Sequence, residues 1–306
     1  MADLFTKPPL DSLNILAVDD EIFNLEILTE WLSDRGIHVT TAENGRHALE
    51  VLQDSTGRFD AILLDRMMPE MDGLECLAAI KALPQWKDVP VIMQSAAATV
   101  EEVQTALDAG IWYYLSKPFE RRKLFVMIET AVGDYRLQRR LRQLVEESPL
   151  EYGNDPVTEI QTVEQAQHAA VNLAKLSDNP GKIVIGLFEL LLNAIEHGNL
   201  AIGYQEKTRL LNEQRWLEEI ESRLCRTPYS DHVARVSVSE VNNGVQYLIQ
   251  DQGRGFKSKP YLQLQTHRAA DNHGRGISFA NRLSFADLLY QGTGNQVCAL
   301  ATKVVA

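Results

Sequence analysis

The feature that most constrains the fold is a set of short apolar runs, each of which ends in a charged residue. One run ends in Asp65, a second leads into the pair Asp19 and Asp20, and a third leads into Lys117. Short β-rich apolar runs indicate buried strands, and open parallel sheets bind ligands at the carboxyl edge of the strands. We therefore expect these charges to meet at one sheet edge. Such a cluster suits a hard divalent cation and a phosphoryl group on a carboxylate.

The first part of the chain alternates between predicted strands and predicted helices. The strands are predicted near 13–18, 38–42, 59–65, 91–95 and 112–116. Helices fill the gaps, as in Glu21–Arg35 and Thr99–Ala109. Five strand–helix units in this order imply an α/β fold, a doubly wound parallel sheet of the flavodoxin-like type.

These residues resemble the receiver domain of two-component response regulators over about the first 130 residues. The resemblance implies that Asp65 is the phosphoacceptor. It also implies a magnesium site in which Asp19 and Asp20 act with Asp65, and to which Met67 adds its backbone carbonyl. An upstream histidine kinase is the implied phosphoryl donor.

The same resemblance implies three residues that act on the phosphoryl group or respond to it. Lys117 would pair with the phosphoryl oxygens, as a lysine does when it offers a point charge to phosphate. Ser95 would be the switch hydroxyl, and Tyr114 the aromatic side chain whose rotation reports phosphorylation.

Composition excludes several classes of function. The net charge of -12 argues against a nucleic-acid partner, since phosphate binding needs clustered Lys and Arg. The hydrophobic share of 45% predicts packed cores. Three distant cysteines without metal spacing indicate a reducing compartment. With no expected signal peptide or membrane span, the sequence predicts a cytoplasmic protein.

A helical pattern from Arg121 to about Glu147 predicts that the last receiver helix runs on into a linker, assigned to residues 131–154. One interpretation is a plain amphipathic connector. The other is a short two-stranded coiled coil that would make a homodimer. The irregular apolar spacing leaves both open.

The second half carries a different set of polar residues. A strongly apolar helix predicted over Lys182–His197 places Glu189 and Asn193 on one face, because they are four residues apart. Another predicted strand ends at Asp251, which is followed by Gly253 and Gly255, and a last strand is predicted over Gln296–Val304. Glycines allow a backbone to approach a ligand closely, and a glycine-rich helix start can bind an anion.

This ordered set resembles the GHKL-type ATP-binding domain, an α/β sandwich shared by histidine kinases and gyrase, over residues 155–306. Residues 189–198 are most similar to the anti-sigma-factor serine kinases. The resemblance implies ATP and Mg²⁺ as ligands and assigns a role to each motif residue. The implied nucleotide-site residues are Glu189 as general base, Asn193 as magnesium ligand, His197 within the same block, Asp251 for the adenine amino group, Gly253 and Gly255 for base packing, and Gly274 and Gly276 for the lid hinge and phosphate cradle.

Three features depart from this pattern. No phosphoacceptor helix precedes the domain, and His168 is expected to be an ordinary helix histidine. Asn295 stands where the resemblance expects a threonine. An insertion of helix-forming residues follows the Asn193 helix, with Lys207–Leu211 and Glu213–Leu224. It is interpreted as a solvated helical hairpin, or as a partner surface or brace.

The sequence therefore predicts a response regulator phosphorylated on Asp65. Its ATP-binding output domain would act as a serine/threonine kinase or anti-sigma-type switch on an antagonist protein or a sigma factor. Two alternatives stay open. One is a nucleotide-binding interaction module without phosphoryl transfer, and the other is an atypical histidine kinase that works on a separate phosphoacceptor.

Overall fold

The computed structural model describes residues 10–96, 99–150, 157–242, 244–262 and 276–302. The chain divides into two compact units, and the division falls between Leu137 and Gln138, within one long helix.

The first unit is built on a five-stranded parallel sheet. Its strands are β1 (Asn14–Val18), β2 (His38–Ala42), β3 (Ala61–Asp65), β4 (Val91–Ser95) and β5 (Tyr113–Ser116). Their order is β2-β1-β3-β4-β5, with every neighbouring pair parallel. This is the flavodoxin-like order, and all five predicted strands are confirmed to within two residues.

Helices cover the sheet of the first unit. They are α1 (Ile22–Ser33), α2 (Gly45–Asp54), α3 (Gly73–Ala82), α4 (Val100–Asp108) and α5 (Arg121–Glu147). Successive strand residues point to opposite faces, so Ile62 joins one buried apolar cluster and Leu63 joins another. Both faces of the sheet are therefore buried, which explains the nearly continuous apolar runs in the sequence.

Side-chain caps fix where two of these helices begin. The Asp72 carboxylate accepts hydrogen bonds from the backbone amides of Leu74 and Glu75 at the start of α3, and the Asp72 amide donates to the Glu75 carboxylate. Thr99 and Glu102 form the same reciprocal box at α4. Each box satisfies amide groups that a helix start would otherwise leave unpaired.

The predicted long helix is confirmed, because α5 runs unbroken from Arg121 to Glu147 over 27 residues. Its first turns are buried, with Leu124, Ile128 and Ala131 among the core residues of the first unit. The coiled-coil interpretation of its later turns stays a prediction.

The second unit is built on a five-stranded antiparallel sheet. Its strands are β6 (Val157–Ile160), β7 (Ala234–Val241), β8 (Gly244–Gln250), β9 (Asp287–Gln291) and β10 (Gln296–Thr302). Their order is β6-β7-β8-β10-β9. Alternate residues of β8 and β10 are buried, which is the pattern of a sheet with one covered face. Of these strands, only β8 and β10 were expected from the sequence.

The described part of the second unit contains several helices, and two of them continue into a π-helical turn. The helices are α6 (Val163–Ala174), α7 (Pro180–Asn193) with the π turn Ala194–Asn199, α8 (Tyr204–Asn212), α9 (Trp216–Leu224), α10 (Lys259–Leu262), and α11 (Gly276–Phe279) with the π turn Ala280–Ser284. The Tyr247 hydroxyl of β8 donates to the Leu173 carbonyl of α6 at 3.1 Å, which ties sheet to helix.

The insertion after α7 forms the predicted helical hairpin, α8 and α9. It is not a uniformly solvated one, because Leu210, Trp216 and Ile220 are buried. The alternating charges lie among these apolar residues at helical spacing, so one side of the hairpin packs and the other faces water.

Among the described residues, no single helix has the length and apolar composition of a membrane span. The segments Pro180–Asn199 and Tyr204–Asn212, bent by 107°, reach that composition only as a pair.

The packing of α7 makes a first prediction about stability. A Cβ added at Gly186 would lie 2.4 Å from the Cβ of Ser284, so Gly186→Ala should force the two segments apart. We expect a loss of about 1–3 kcal/mol in the free energy of unfolding, the usual cost of overpacking. Chemical denaturation of the full chain measures it.

Gly181→Ala is the matched control, since the nearest atom to its new methyl group, the Arg142 Cγ, lies at 3.7 Å, an ordinary contact. Equal stability of the two variants would show that α7 is not packed as described.

Candidate functional site

The carboxyl ends of β1, β3 and β5 bring three predicted residues together in the first unit. The Lys117 ammonium donates to Asp65 Oδ1 at 2.5 Å and to Asp19 Oδ2 at 2.6 Å. Both carboxylates are almost fully buried. One ammonium group is thus shared by two buried acids.

Because two carboxylates share one ammonium, negative charge exceeds positive charge at this site. Burial raises the pKa of Asp65, and the hydrogen bonds from Lys117 and from the Met67 amide offset only part of that effect. Burial acts to lower the pKa of Lys117, but the bonds to Asp19 and Asp65 outweigh it and raise that pKa. The lysine therefore stays charged while an excess of negative charge remains.

The other two predicted metal ligands lie beside this pair. Asp19 Oδ1 accepts from the Glu21 amide and from Asn24, each at 3.0 Å, which fixes its orientation. Asp20 is exposed. The Met67 amide donates a hydrogen bond to Asp65 Oδ2 at 2.7 Å. Within the described parts of the chain, no three His, Cys, Asp or Glu side chains form a ready group for a metal ion.

The two predicted switch residues lie close together on β4 and β5. Ser95 and Tyr114 are both buried. Burial raises the pKa of the Tyr114 phenol, and a hydrogen bond with Ser95 acts against that shift. The Ser95 carbonyl accepts the Lys117 amide at 2.7 Å, so one backbone hydrogen bond links the residue that carries the switch hydroxyl to the lysine.

Sequence reasoning gave no role to Arg66, which follows Asp65 directly. Its Nη1 lies 2.9 Å from Asp72 Oδ2, the carboxylate that caps α3. Its Nε is buried and has no hydrogen-bond partner. Arg66 therefore ties the loop after Asp65 to the start of α3, and its position beside the acid was the only sequence signal.

In the second unit, α7 carries Glu189 and Asn193 on one face, as predicted, and both are half-buried. A Cβ added at Gly276 would lie 2.0 Å from Glu189 Oε2, so this carboxylate sits against the start of α11. Gly274 falls outside the described residues, and its predicted role stays a prediction.

Asp251 lies directly after β8 and is held by the turn before β10. Its amide donates to the Asn295 carbonyl at 3.0 Å, and the Asn295 side chain donates to the Asp251 carbonyl at 3.2 Å. Asn295, the departure noted in the sequence, therefore holds the backbone of Asp251. The Asp251 carboxylate accepts the Gly253 amide at 2.8 Å.

Glycines let three backbone segments meet around Asp251. A Cβ at Gly198 would lie 2.4 Å from Asp251 Cγ, and one at Gly253 would lie 2.5 Å from the Gly198 carbonyl oxygen. Gly255 has a φ of +76°, and a side chain there would collide with the Thr293 carbonyl. The π turn after α7 therefore packs directly against the loop that carries Asp251.

His197 is held within its own turn. Its Nδ1 lies 2.5 Å from the Ile202 carbonyl oxygen, and its Nε2 lies 2.9 Å from Glu196 Oε1. The His197 imidazole therefore contacts Glu196 and the Ile202 carbonyl, and the sequence motif alone did not predict these contacts.

Glu196 was not singled out from the sequence, yet its carboxylate is the most deeply buried acid described. It accepts from Lys207 and His197, and from the Trp216 indole at 2.9 Å. Burial acts to raise its pKa, but Lys207 and His197 lower it to about 2. No local sequence pattern marks it, because its partners Lys207 and Trp216 lie 11 and 20 residues away along the chain.

Comparison with known proteins places the first unit in a family. The family described as "Response regulator receiver domain" matches residues 15–129. The response regulator MprA of Mycobacterium ulcerans is 31% identical over 211 residues, which cover 68% of this chain and 79% of MprA.

The chain belongs to the response regulator family. Other curated relatives are matched over shorter stretches. The transcriptional regulatory protein ZraR of Escherichia coli (strain K12) is 38% identical over 123 residues, 40% of this response regulator and 27% of ZraR. The chain therefore spans only about a quarter of the length of this relative.

Two solved structures illustrate the same region. Vibrio cholerae CheY4 is 34% identical and aligns with 39% of the response regulator and 98% of its own chain, with a TM-score of 0.37. The receiver domain of the Pseudomonas aeruginosa PAO1 sensor histidine kinase PA1611 is 31% identical and covers 40% of this chain and 98% of its own, with a TM-score of 0.37. That structure holds a magnesium ion in its active-site cleft.

The environment of Asp251 predicts a pH-dependent stability. Burial raises the pKa of Asp251 from 3.8 to about 6 in the folded state. Between these values the folded state binds a proton that the unfolded state lacks, so Asp251 should make the protein more stable as the pH falls from above 6 to 4. Asp251→Asn should remove this dependence.

At pH 7.5, Asp251→Asn should raise the melting temperature by about 2–4 °C, as expected for about 1 kcal/mol after allowance for partial solvent screening. Thermal unfolding at several pH values measures it, with exposed Asp231→Asn as control. An unchanged pH profile in Asp251→Asn would contradict the assignment.

Proposed function

We propose that this response regulator is a phosphorylation-controlled switch whose second unit binds ATP with magnesium and transfers a phosphoryl group to a serine or threonine of a partner protein. The observation that carries the proposal is the position of Asp251. This half-buried acid follows β8 in a glycine-lined loop, and that loop packs against the π turn at the end of the helix that carries Glu189 and Asn193.

The chemistry of the first site supports phosphorylation of Asp65. Two buried carboxylates share one ammonium, and oxygen donors with excess negative charge are what Mg²⁺ prefers. Because Mg²⁺ keeps several waters, Asp19, Asp65 and the Met67 carbonyl suffice, with Asp20 at the exposed side. When bound, the ion would offset the charge of the phosphoryl oxygens.

The phosphoryl group is proposed to come from a histidine kinase. An Asp65 oxygen would attack phosphorus, an acyl phosphate would form, and the bond to the donor imidazole would break. Lys117 already lies at Asp65 and would move its contact to a phosphoryl oxygen. Ser95 would then turn toward the phosphoryl group, away from Tyr114.

The geometry of α7 supports a nucleotide site that runs along this helix. Gly198, at Asp251, is nine residues beyond Glu189, about 13 Å along a helix at roughly 1.5 Å per residue. Asn193 lies between them. The adenine amino group would donate to Asp251, Asn193 would hold Mg²⁺ through its amide oxygen, and the terminal phosphate would reach Glu189 and Gly276.

Glu189 is the group proposed to take a proton from the attacking hydroxyl. Its carboxylate faces the start of α11, where a helix amino terminus favours negative phosphate. General-base catalysis of this kind typically contributes 10²–10⁴-fold to a rate. A sigma factor held without phosphoryl transfer is the alternative outcome for the partner.

Phosphorylation of Asp65 is expected from a small donor. Incubation with acetyl phosphate and Mg²⁺ should give an acid-labile, hydroxylamine-sensitive label, and Asp65→Asn should abolish it because an amide is not a nucleophile here. Asp54→Asn, an exposed acid at the end of α2, is the control and should label like wild type. Equal labelling of Asp65→Asn would reject the assignment.

ATP binding and turnover test the second unit. Calorimetry with ATP and Mg²⁺ should show binding to the full chain, with tenfold or greater loss in Asp251→Asn and loss of the magnesium dependence in Asn193→Ala. Glu189→Gln should bind ATP as wild type does and lose at least 10²-fold in turnover, because the amide keeps the shape but cannot take a proton.

The same measurements with beryllofluoride bound at Asp65 test the coupling between the two units. A changed ATP affinity or turnover is expected, since a ligand shifts an equilibrium only through its differential affinity for two states. A well-folded chain that binds no nucleotide would overturn the proposed activity. If Glu189→Gln keeps full turnover, the assigned base is wrong.

A further inference from the structure

The helical insertion, which consists of α8 and α9, is bonded to the π turn that packs against Asp251. Glu196, in the middle of that turn, is fully buried, and two of its three side-chain partners come from the insertion: Lys207 of α8 and Trp216 of α9. The Lys207 ammonium also lies 5.9 Å from the centre of the Trp216 ring. A buried, ionised carboxylate is therefore neutralised from outside its own helix.

Backbone contacts reinforce this attachment. Arg223 of α9 donates to the Leu200 carbonyl at 2.8 Å. The Ile202 amide, at the entry to the insertion, donates to the Glu196 carbonyl at 2.8 Å. Side chains of the insertion thus hold two points of this segment, the Glu196 carboxylate and the Leu200 carbonyl, and the Ile202 amide closes the turn itself.

The opposite side of the same turn forms the wall of the Asp251 site. Gly198 touches the Asp251 carboxylate, and Asn199 Oδ1 accepts the Gln252 amide at 2.9 Å. Glu196 is two residues from Gly198. A displacement of Glu196 is consequently transmitted to the loop that holds Asp251, because a close-packed turn moves as a unit.

We propose that the insertion sets the geometry of the nucleotide site, with Lys207 and Trp216 as positioning residues that act through Glu196. This inference rests on the proposed ATP binding. It assigns to the hairpin the control of nucleotide affinity: a change that releases Glu196 from Lys207 or Trp216 weakens the site without touching a ligand-contacting residue.

The test compares nucleotide affinity with stability in variants of one helix. Lys207→Met removes the cation of the cluster, and Lys207→Arg keeps it. Arg209→Met removes an exposed cation of the same helix. Leu210→Ala opens a cavity in α8 without touching Glu196. It is therefore the control for any loss of stability that Lys207→Met causes.

For the full chain with ATP and Mg²⁺, we expect Lys207→Met to weaken binding at least tenfold, and Lys207→Arg to restore most of it. Trp216→Phe, which lacks the indole donor, should weaken binding by a smaller factor. Arg209→Met and Leu210→Ala should bind within twofold of wild type, measured below their melting temperatures.

If Leu210→Ala loses as much affinity as Lys207→Met, the hairpin contributes stability only and the proposal fails. It also fails if Lys207→Met binds ATP as wild type does. Wild type that binds no nucleotide would instead overturn the proposed function, so the two failures are distinguishable.

Discussion

Buried carboxylates that need a cation from a distant part of the chain are the interaction on which both units depend. In the first unit, Asp65 and Asp19 end neighbouring strands, and Lys117, which follows β5, lies between them. In the second, Glu196 is neutralised by Lys207 and also contacts the imidazole of its neighbour His197. Removal of one partner from such a group costs far more than a surface pair, because it leaves a charge buried without compensation.

The two clusters differ in what they leave unsatisfied. Glu196 has the Lys207 ammonium, the His197 imidazole and an indole donor on its oxygens, and its pKa is lowered to about 2, so it acts as a fixed structural charge. Asp65 shares the Lys117 ammonium with Asp19, and its pKa is raised. The first unit therefore keeps an excess of negative charge at a sheet edge open to ligands. That imbalance supports the role proposed for the site toward a cation and a phosphoryl group, while the contacts of Glu196 stabilise the fold.

Backbone contact, rather than side-chain packing, shapes the second site. Gly198, Gly253 and Gly255 each stand where a side chain would collide with a neighbouring segment. Asn295 completes the arrangement through paired hydrogen bonds with the backbone of Asp251. An acid held in this way loses part of its hydration, and its pKa rises to about 6. In the proposed function, stability and ligand binding therefore oppose one another at Asp251, as is common at functional sites.

The sequence by itself determined the parallel sheet, the long helix α5 and the identity of the acids at the strand ends. Period and polarity are local signals, and a strand buried on both faces is recognisable from its apolar run. It also predicted that Glu189 and Asn193 lie on one helix and that Asp251 lies at the end of a strand. Only the tertiary structure decided that Lys117 bridges Asp65 and Asp19, that His197 turns toward Glu196, and that the insertion closes on that acid. The strands β6, β7 and β9 were likewise missed, since half-exposed strands alternate weakly and pair with distant partners. These contacts join residues far apart in the chain, and no local pattern records which distant side chain will neutralise a buried charge.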